Sequence, residues 1–224
     1  MEQQTTGSPI LSIGETSNKE QKEPVAELNE GFPVRSKEPV AELMEVLPLR
    51  SFWLTYWLWQ HRIPENVARI YCREIHYKIA EKEFAALGFP NNAGGWLIRN
   101  RYHRLAIGPA GPAHLASGSH RLAVFTEFVD LLTLVSLVGI SNSQLPDLLL
   151  LGPTDGVTPL REIERIYFKV YLFLGNDREG NRLTEAAIRH TPPCLDQRRL
   201  YAGYKNLNEW ACHFGKRHPT PFPG

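Results

Sequence analysis

The sequence predicts an α/β protein: a mostly parallel sheet with helices on both faces, preceded by a small α+β unit. Three observations predict it. Beyond His120, short apolar runs alternate with amphipathic ones: "RLAVF", "FVDLLTLVSL", "DLLLLG", "LREIERI", "FKVYLFL", "REGNRLTEAAIRH" and "NLNEWACHF". Short buried strands separated by amphipathic helices read as parallel crossovers. Upstream, "EIHYKIAEKEFAALGFP" alternates as a hairpin does, and "NNAGGWLIRN" adds a Gly-Gly turn into a third short strand. Near Phe52 the composition turns abruptly aromatic and apolar, which sets the expected start of the folded part.

Taken in order, residues 1–50 are rich in Glu, Ser, Pro and Thr and read as a disordered leader, because such a segment buries too little apolar surface to offset the entropy of ordering. It contains a tandem duplication: "KEPVAELNEGFPVRS" (Lys22–Ser36) is followed at once by "KEPVAELMEVLPLRS" (Lys37–Ser51). Two copies do not build a solenoid, leaving a duplicated linker or a partner-binding peptide around "VAEL". Residues 52–115 form the expected α+β subdomain, with helical spacing through Trp53, Trp57, Val67 and Ile70. The Trp53, Trp57 and Trp59 side chains are expected in core and subdomain packing. The Gly/Pro-rich "GPAGPAHLASG" reads as a connector, residues 119–215 as the α/β domain, and 216–224 as a flexible tail.

With 42% hydrophobic residues in 224, the chain can bury a core of ordinary size. Twenty-five Lys and Arg against 24 Asp and Glu give a net charge of +1, less basic than a chain made solely to coat DNA. Cys72, Cys194 and Cys212 are far apart and show no zinc-type spacing, so they read as reduced structural thiols, and zinc is not expected. The N-terminus lacks the basic and apolar regions of a secretory signal, and "FVDLLTLVSLVGI" is too short to span a bilayer. A cytoplasmic protein without membrane contact is expected.

In such a sheet, ligands bind beyond the carboxyl ends of the strands. The loops there are "TEF", "GPTDG" and "GNDREG", the last carrying Asp177. Arg99, Arg101, His103 and Arg104 in "IRNRYHRL" read as a basic edge strand, suited to phosphate contacts with bases stacking on Tyr102, or else as a solvated edge that discourages pairing. Lys205 and Tyr204 lie beside the same expected site.

The ordered blocks "AVFTEFVDLLTL", "YLFLGNDREGNRLTEAA" and "YKNLNEW" resemble a Toprim domain, the topoisomerase-primase module. The preceding "RIPENVARIYCREIHY" and "ALGFPNNAGGWLIRNRYHR" are similar to Toprim-containing, DNA primase-like proteins of Bacteroidetes mobile elements, here without the CHC2 zinc module. The resemblance implies DNA replication or mobilisation of a genetic element, with a glutamate as general acid or base and a D-x-D pair holding magnesium. Hard oxygen ligands suit that ion. Aligned on "FVDLLTL", however, Thr126 stands at the glutamate position and Glu127 at the following glycine. Gly175 replaces the first acid of D-x-D, leaving Asp177, and Asn206 stands where relatives tend to have Asp.

Three readings follow. One is a primase-type nucleotidyltransferase with Glu127 and Asp177 as catalytic residues and Asp177 as the metal ligand. The second is a catalytically degenerate nucleic-acid-binding module using Arg99, Arg101, Arg104 and Lys205, and the third a Toprim nuclease. The expected partners are single-stranded DNA or a primer-template, with a helicase or other replication protein as a further one.

Overall fold

The computed structural model describes residues 40–141, 144–153, 156–190 and 194–214, and every element below belongs to one unit, Glu38–Gly224. The leader up to residue 39 and the expected tail lie outside the described residues. The fold is mixed α/β, built on one antiparallel sheet and one mixed sheet.

The antiparallel sheet runs β1 (Ala41–Leu47), β2 (Arg73–Ile79), β3 (Lys82–Pro90), β4 (Trp96–Arg99) and β5 (Arg104–Ile107), each paired with the next. Helices α1 (Phe52–Gln60) and α2 (Glu65–Tyr71) connect β1 to β2. The expected hairpin is β2–β3, and the strand after Gly94–Gly95 is β4. The pleat divides its side chains: Ile75, Tyr77, Ala86 and Ile98 cluster on one face, while Leu87 and Phe89 join Leu54, Trp57, Leu58 and Val67 of the helices on the other.

Two boundaries differ from expectation. The strand β1 lies inside the stretch read as leader, in the second copy of the duplication, so order begins before Phe52. Its side chains are largely exposed on both faces, and backbone pairing to β2 holds it rather than an apolar face. Just after it Leu49 enters the core, and the buried Glu74 carboxylate accepts the Arg50 and Ser51 N–H groups at 3.1 and 2.8 Å, anchoring the backbone where it enters α1. Likewise the stretch read as connector contains β6 (Ala113–Leu115), a three-residue edge strand too short to show periodicity.

The mixed sheet has the order β10-β9-β7-β8-β6, from β7 (Arg121–Phe125), β8 (Asp147–Leu150), β9 (Lys169–Phe173) and β10 (Cys194–Asp196). The strands β10, β9, β7 and β8 pair in parallel, whereas β6 is antiparallel to β8. Alternation along the strands feeds two cores. Ala123, Phe125, Leu148, Leu150, Tyr171 and Phe173 face α3 (Phe128–Val138), α6 (Leu207–Phe214) and the α1–α2 pair. Leu122, Val124, Leu149, Val170 and Leu172 face α4 (Thr158–Ile163) and α5 (Arg178–His190). Helices therefore cover both faces, as expected. Phe89 of β3 stacks on Phe128 of α3 at 5.7 Å between ring centroids, so the two sheets share one core. Among the described residues no helix is long and apolar enough to cross a membrane.

Candidate functional site

The connection from β7 leads to β8 on one side and that from β9 to β10 on the other, which opens a crevice at the neighbouring carboxyl ends of β7 and β9. Into it project Thr126 and Glu127 after β7 and Gly175 and Asp177 after β9. The β4–β5 hairpin and the start of α6 close the sides. The resulting cleft, about 410 Å³, is lined by Arg99, Arg104, Glu127, Asp130, Asp177 and Lys205, with His61, Asn206, Asn208 and Glu209 around them. Five of the six sequence-predicted site residues thus meet in one place.

Arg101 does not. The segment read as one basic edge strand is a hairpin: the Asn100 side chain accepts the Tyr102 and His103 N–H groups at 2.8 and 2.7 Å and donates to Ala85 O and Tyr77 Oη. This short polar side chain closes the turn, as Asn does where the chain must reverse. Arg99 and Arg104 become direct cross-strand partners on β4 and β5 and line the cleft together, while Arg101 and Tyr102 are carried to the exposed tip.

Each carboxylate at the cleft has a partner. Glu127, at the N-cap of α3, forms an ion pair with Arg104. Burial pushes its carboxyl above the usual range, although Arg104, Arg99 and Lys205 draw it down; the Asp177 charge pushes it up further. The pair also separates the cleft from a second cavity of about 340 Å³ bounded by Gly152, Pro153 and Gly156 of the β8 loop. Asp177 Oδ1 accepts the Gly180 N–H at 2.7 Å, capping α5. Gly180 is required there: a Cβ would lie 1.9 Å from Gly175 O. A Cβ at Gly175, by contrast, would stand 3.3–3.4 Å from the Asp177 carboxylate.

Asn206 also caps a helix, its Oδ1 accepting the Glu209 N–H at 2.9 Å, while the Glu209 carboxylate accepts the Lys205 N–H. That reciprocal arrangement is a capping box displaced by one residue, and N-x-x-E is its sequence signal. Two helix N-termini, of α5 and α6, therefore border the cleft, each met by a carboxylate of the chain, Asp177 or Glu209. Asp130, within the first turn of α3, is fully buried; its Oδ1 accepts the Asn208 N–H at 2.8 Å. Burial raises its pKa to about 7, the Asn208 bond pulling down, Glu127 pushing up and Arg104 pulling down. Sequence reading missed Asn208, whose side-chain amide donates to His61 O and Thr133 Oγ1, both at 2.8 Å, and so ties α6 to α1 and α3. Among the described residues no three His, Cys, Asp or Glu side chains group as ligands of a metal ion would.

Residues 43–108, which span most of β1 through β5, match the model of a domain family of unknown function, DUF8464. A comparison with curated proteins found no match. Among solved structures, the chain is similar to the primase fragment of the bacteriophage T7 primase-helicase protein, at 16% identity and a TM-score of 0.45. The match covers 61% of this chain and 61% of that fragment. It is also similar, at 15% identity and a TM-score of 0.42, to a chain in a complex of bacteriophage T7 lagging-strand DNA polymerase interacting with primase domains bound to an RNA/DNA hybrid and dTTP. That match covers 61% of this chain and 74% of the other.

Proposed function

We propose that this chain is a Toprim-type, primase-related protein that binds single-stranded nucleic acid in the cleft between β7, β9 and the β4–β5 hairpin, and that its acids serve the fold rather than a metal. Replication or mobilisation of DNA is the setting that the motif resemblance suggests. The observation that carries the reading is the Arg104–Glu127 ion pair: the carboxylate best placed for general acid–base work is held by a guanidinium of the neighbouring sheet.

The fit to magnesium is poor on the same grounds. That ion is held by a few carboxylates with water completing its shell. Here Gly175 offers no oxygen from its side chain, Asp177 already accepts the Gly180 N–H, Asn206 is uncharged and committed to capping α6, and Glu127 is paired. Arg99, Arg104 and Lys205 suit a phosphate backbone without a metal.

The test is the salt dependence of single-stranded DNA binding without divalent cations. Replacing Arg99, Arg104 and Lys205 together by Ala should weaken binding and flatten the slope of log affinity against log salt by about two units, from the roughly 0.7 per phosphate contact on single strands. Template-directed primer synthesis by the unaltered protein would overturn this reading in favour of the nucleotidyltransferase, and metal-dependent cleavage of DNA would favour the nuclease.

A further inference from the structure

A second concavity, of about 750 Å³, lies between α1 and the tip of the β4–β5 hairpin. Sequence reading placed Trp53 and Trp59 in core packing, yet they are 75% and 71% exposed, and only Trp57 of the three is buried. Trp53 and Tyr56 form one wall of the groove, Tyr102 and Arg101 the other, with Leu54 and Phe84 between them. Tyr102 is 72% exposed and has the Arg101 guanidinium 5.3 Å from its ring centroid.

The groove is stiff. Asn100 fixes the hairpin turn from below, and Tyr77 Oη meets His103 Nδ1 at 2.6 Å behind it, so Tyr102 is held out by a hydrogen-bonded scaffold. It is also continuous with the cleft. Gln60 of α1 borders both, and the hairpin sends Arg99 into the cleft and Arg101 into the groove on either side of Asn100. Aromatic rings beside a guanidinium, next to a cleft that holds Arg99, Arg104 and Lys205, suit bases that follow their own phosphates. An apolar protein segment would gain nothing from the cations that lead into the groove.

Resting on the reading of the cleft as a single-strand site, we propose that this groove is a base-stacking site: one or two unpaired bases of the strand whose phosphates occupy the cleft lie against Trp53, Tyr56 and Tyr102. Stacking tolerates any base, because every base has a π-face, so the groove adds affinity without sequence preference.

The experiment compares two labelled strands on the full chain, by fluorescence anisotropy at low salt. One is an oligothymidylate about twelve nucleotides long, and the other an abasic sugar-phosphate strand of equal length. The unaltered protein should bind the thymidylate roughly 5- to 100-fold more tightly per stacked base. The Trp53→Ala, Tyr102→Ala double variant should lose that preference while binding the abasic strand as before, and Trp53→Phe should retain most of it. Equal binding of both strands by the unaltered protein overturns the groove proposal and leaves the cleft reading standing. So does a preference that survives in the double variant. Binding of neither strand overturns both. A dimer in the ultracentrifuge that the double variant abolishes, with no preference between strands, assigns the groove to a second copy of this chain instead.

Discussion

The backbone N–H of Asn208 donates to Oδ1 of Asp130 at 2.8 Å, so a donor at the start of α6 that the helix itself cannot satisfy is met by a buried acid of α3. The bond brings together positions far apart in sequence, in the cleft floor. It also leaves the protein carrying a titratable group that is almost fully withdrawn from water.

Stability should therefore fall with rising pH through the range in which Asp130 ionises. Its folded pKa, about 7, lies above the ordinary 3.8, so the folded state holds the proton more tightly and the group favours folding most below about pH 4. That contribution is lost as pH rises from about 4 to 7. Asp130→Asn keeps the acceptor for Asn208 without the charge. It should match the unaltered protein near pH 4 and exceed it at pH 8 by on the order of 2–4 kcal/mol. Urea denaturation at several pH values checks this, and parallel curves for the two proteins would refute it.

Gly175→Asp should create a response to magnesium that the unaltered protein lacks. The new carboxylate would start 3.3–3.4 Å from that of Asp177 at its Cβ, close enough to share a cation but repulsive without one. The variant is expected to melt below the unaltered protein in chelator and to recover with millimolar magnesium. Identical melting with and without the ion would mean that the two acids diverge.

Glu127→Gln should tighten binding of single-stranded DNA about three- to tenfold at low salt, since it removes an anion from the cleft and releases Arg104 toward a phosphate. Anisotropy titrations measure it. Weaker binding by the variant would show that the carboxylate, rather than the cations around it, makes the productive contact.

Gly180→Ala should cost about 3 kcal/mol or more, because its methyl group would meet the Gly175 carbonyl oxygen at 1.9 Å and force the start of α5 away from the β9 loop. Chemical denaturation of the purified variant is the check. A loss no larger than an ordinary exposed helix substitution would mean that the loop gives way easily.

A chain beginning at Ser51 should melt several degrees below the full chain, since it lacks β1 and the buried Leu49 and leaves Glu74 without the Arg50 N–H. Reading residues 1–50 as a disordered leader implies the opposite outcome, with the whole stretch to Arg50 dispensable for folding. An unchanged melting temperature would restore that view.

That reversal shows what was legible in the sequence. The β2–β3 hairpin, the alternation from β7 to α6 and the loops after β7 and β9 carry strong periodicity or turn chemistry, and each is found where the residues place it. β1 was missed because a strand held by backbone pairing alone has no apolar face to betray it. β6 and β10, at three residues each, are too short for an alternation of period two to be recognised. That Glu127, Asp177, Arg99, Arg104 and Lys205 line one cleft was legible because they stand at strand ends or in a basic cluster. Their partnerships were not, since Arg104 meets Glu127 and Asn208 meets Asp130 only through tertiary packing.

The Arg104–Glu127 pair also bears on how this cleft can change over evolutionary time. Substituting Arg104 alone strands a largely buried carboxylate. Restoring an acid at position 175 alone sets a second anion beside Asp177 with no cation to share. Each step taken singly lowers stability in the absence of a metal. Losing the Glu127 carboxylate instead removes an anion from the cleft without leaving a buried charge unpaired, so the change toward a more cationic cleft is the less costly one.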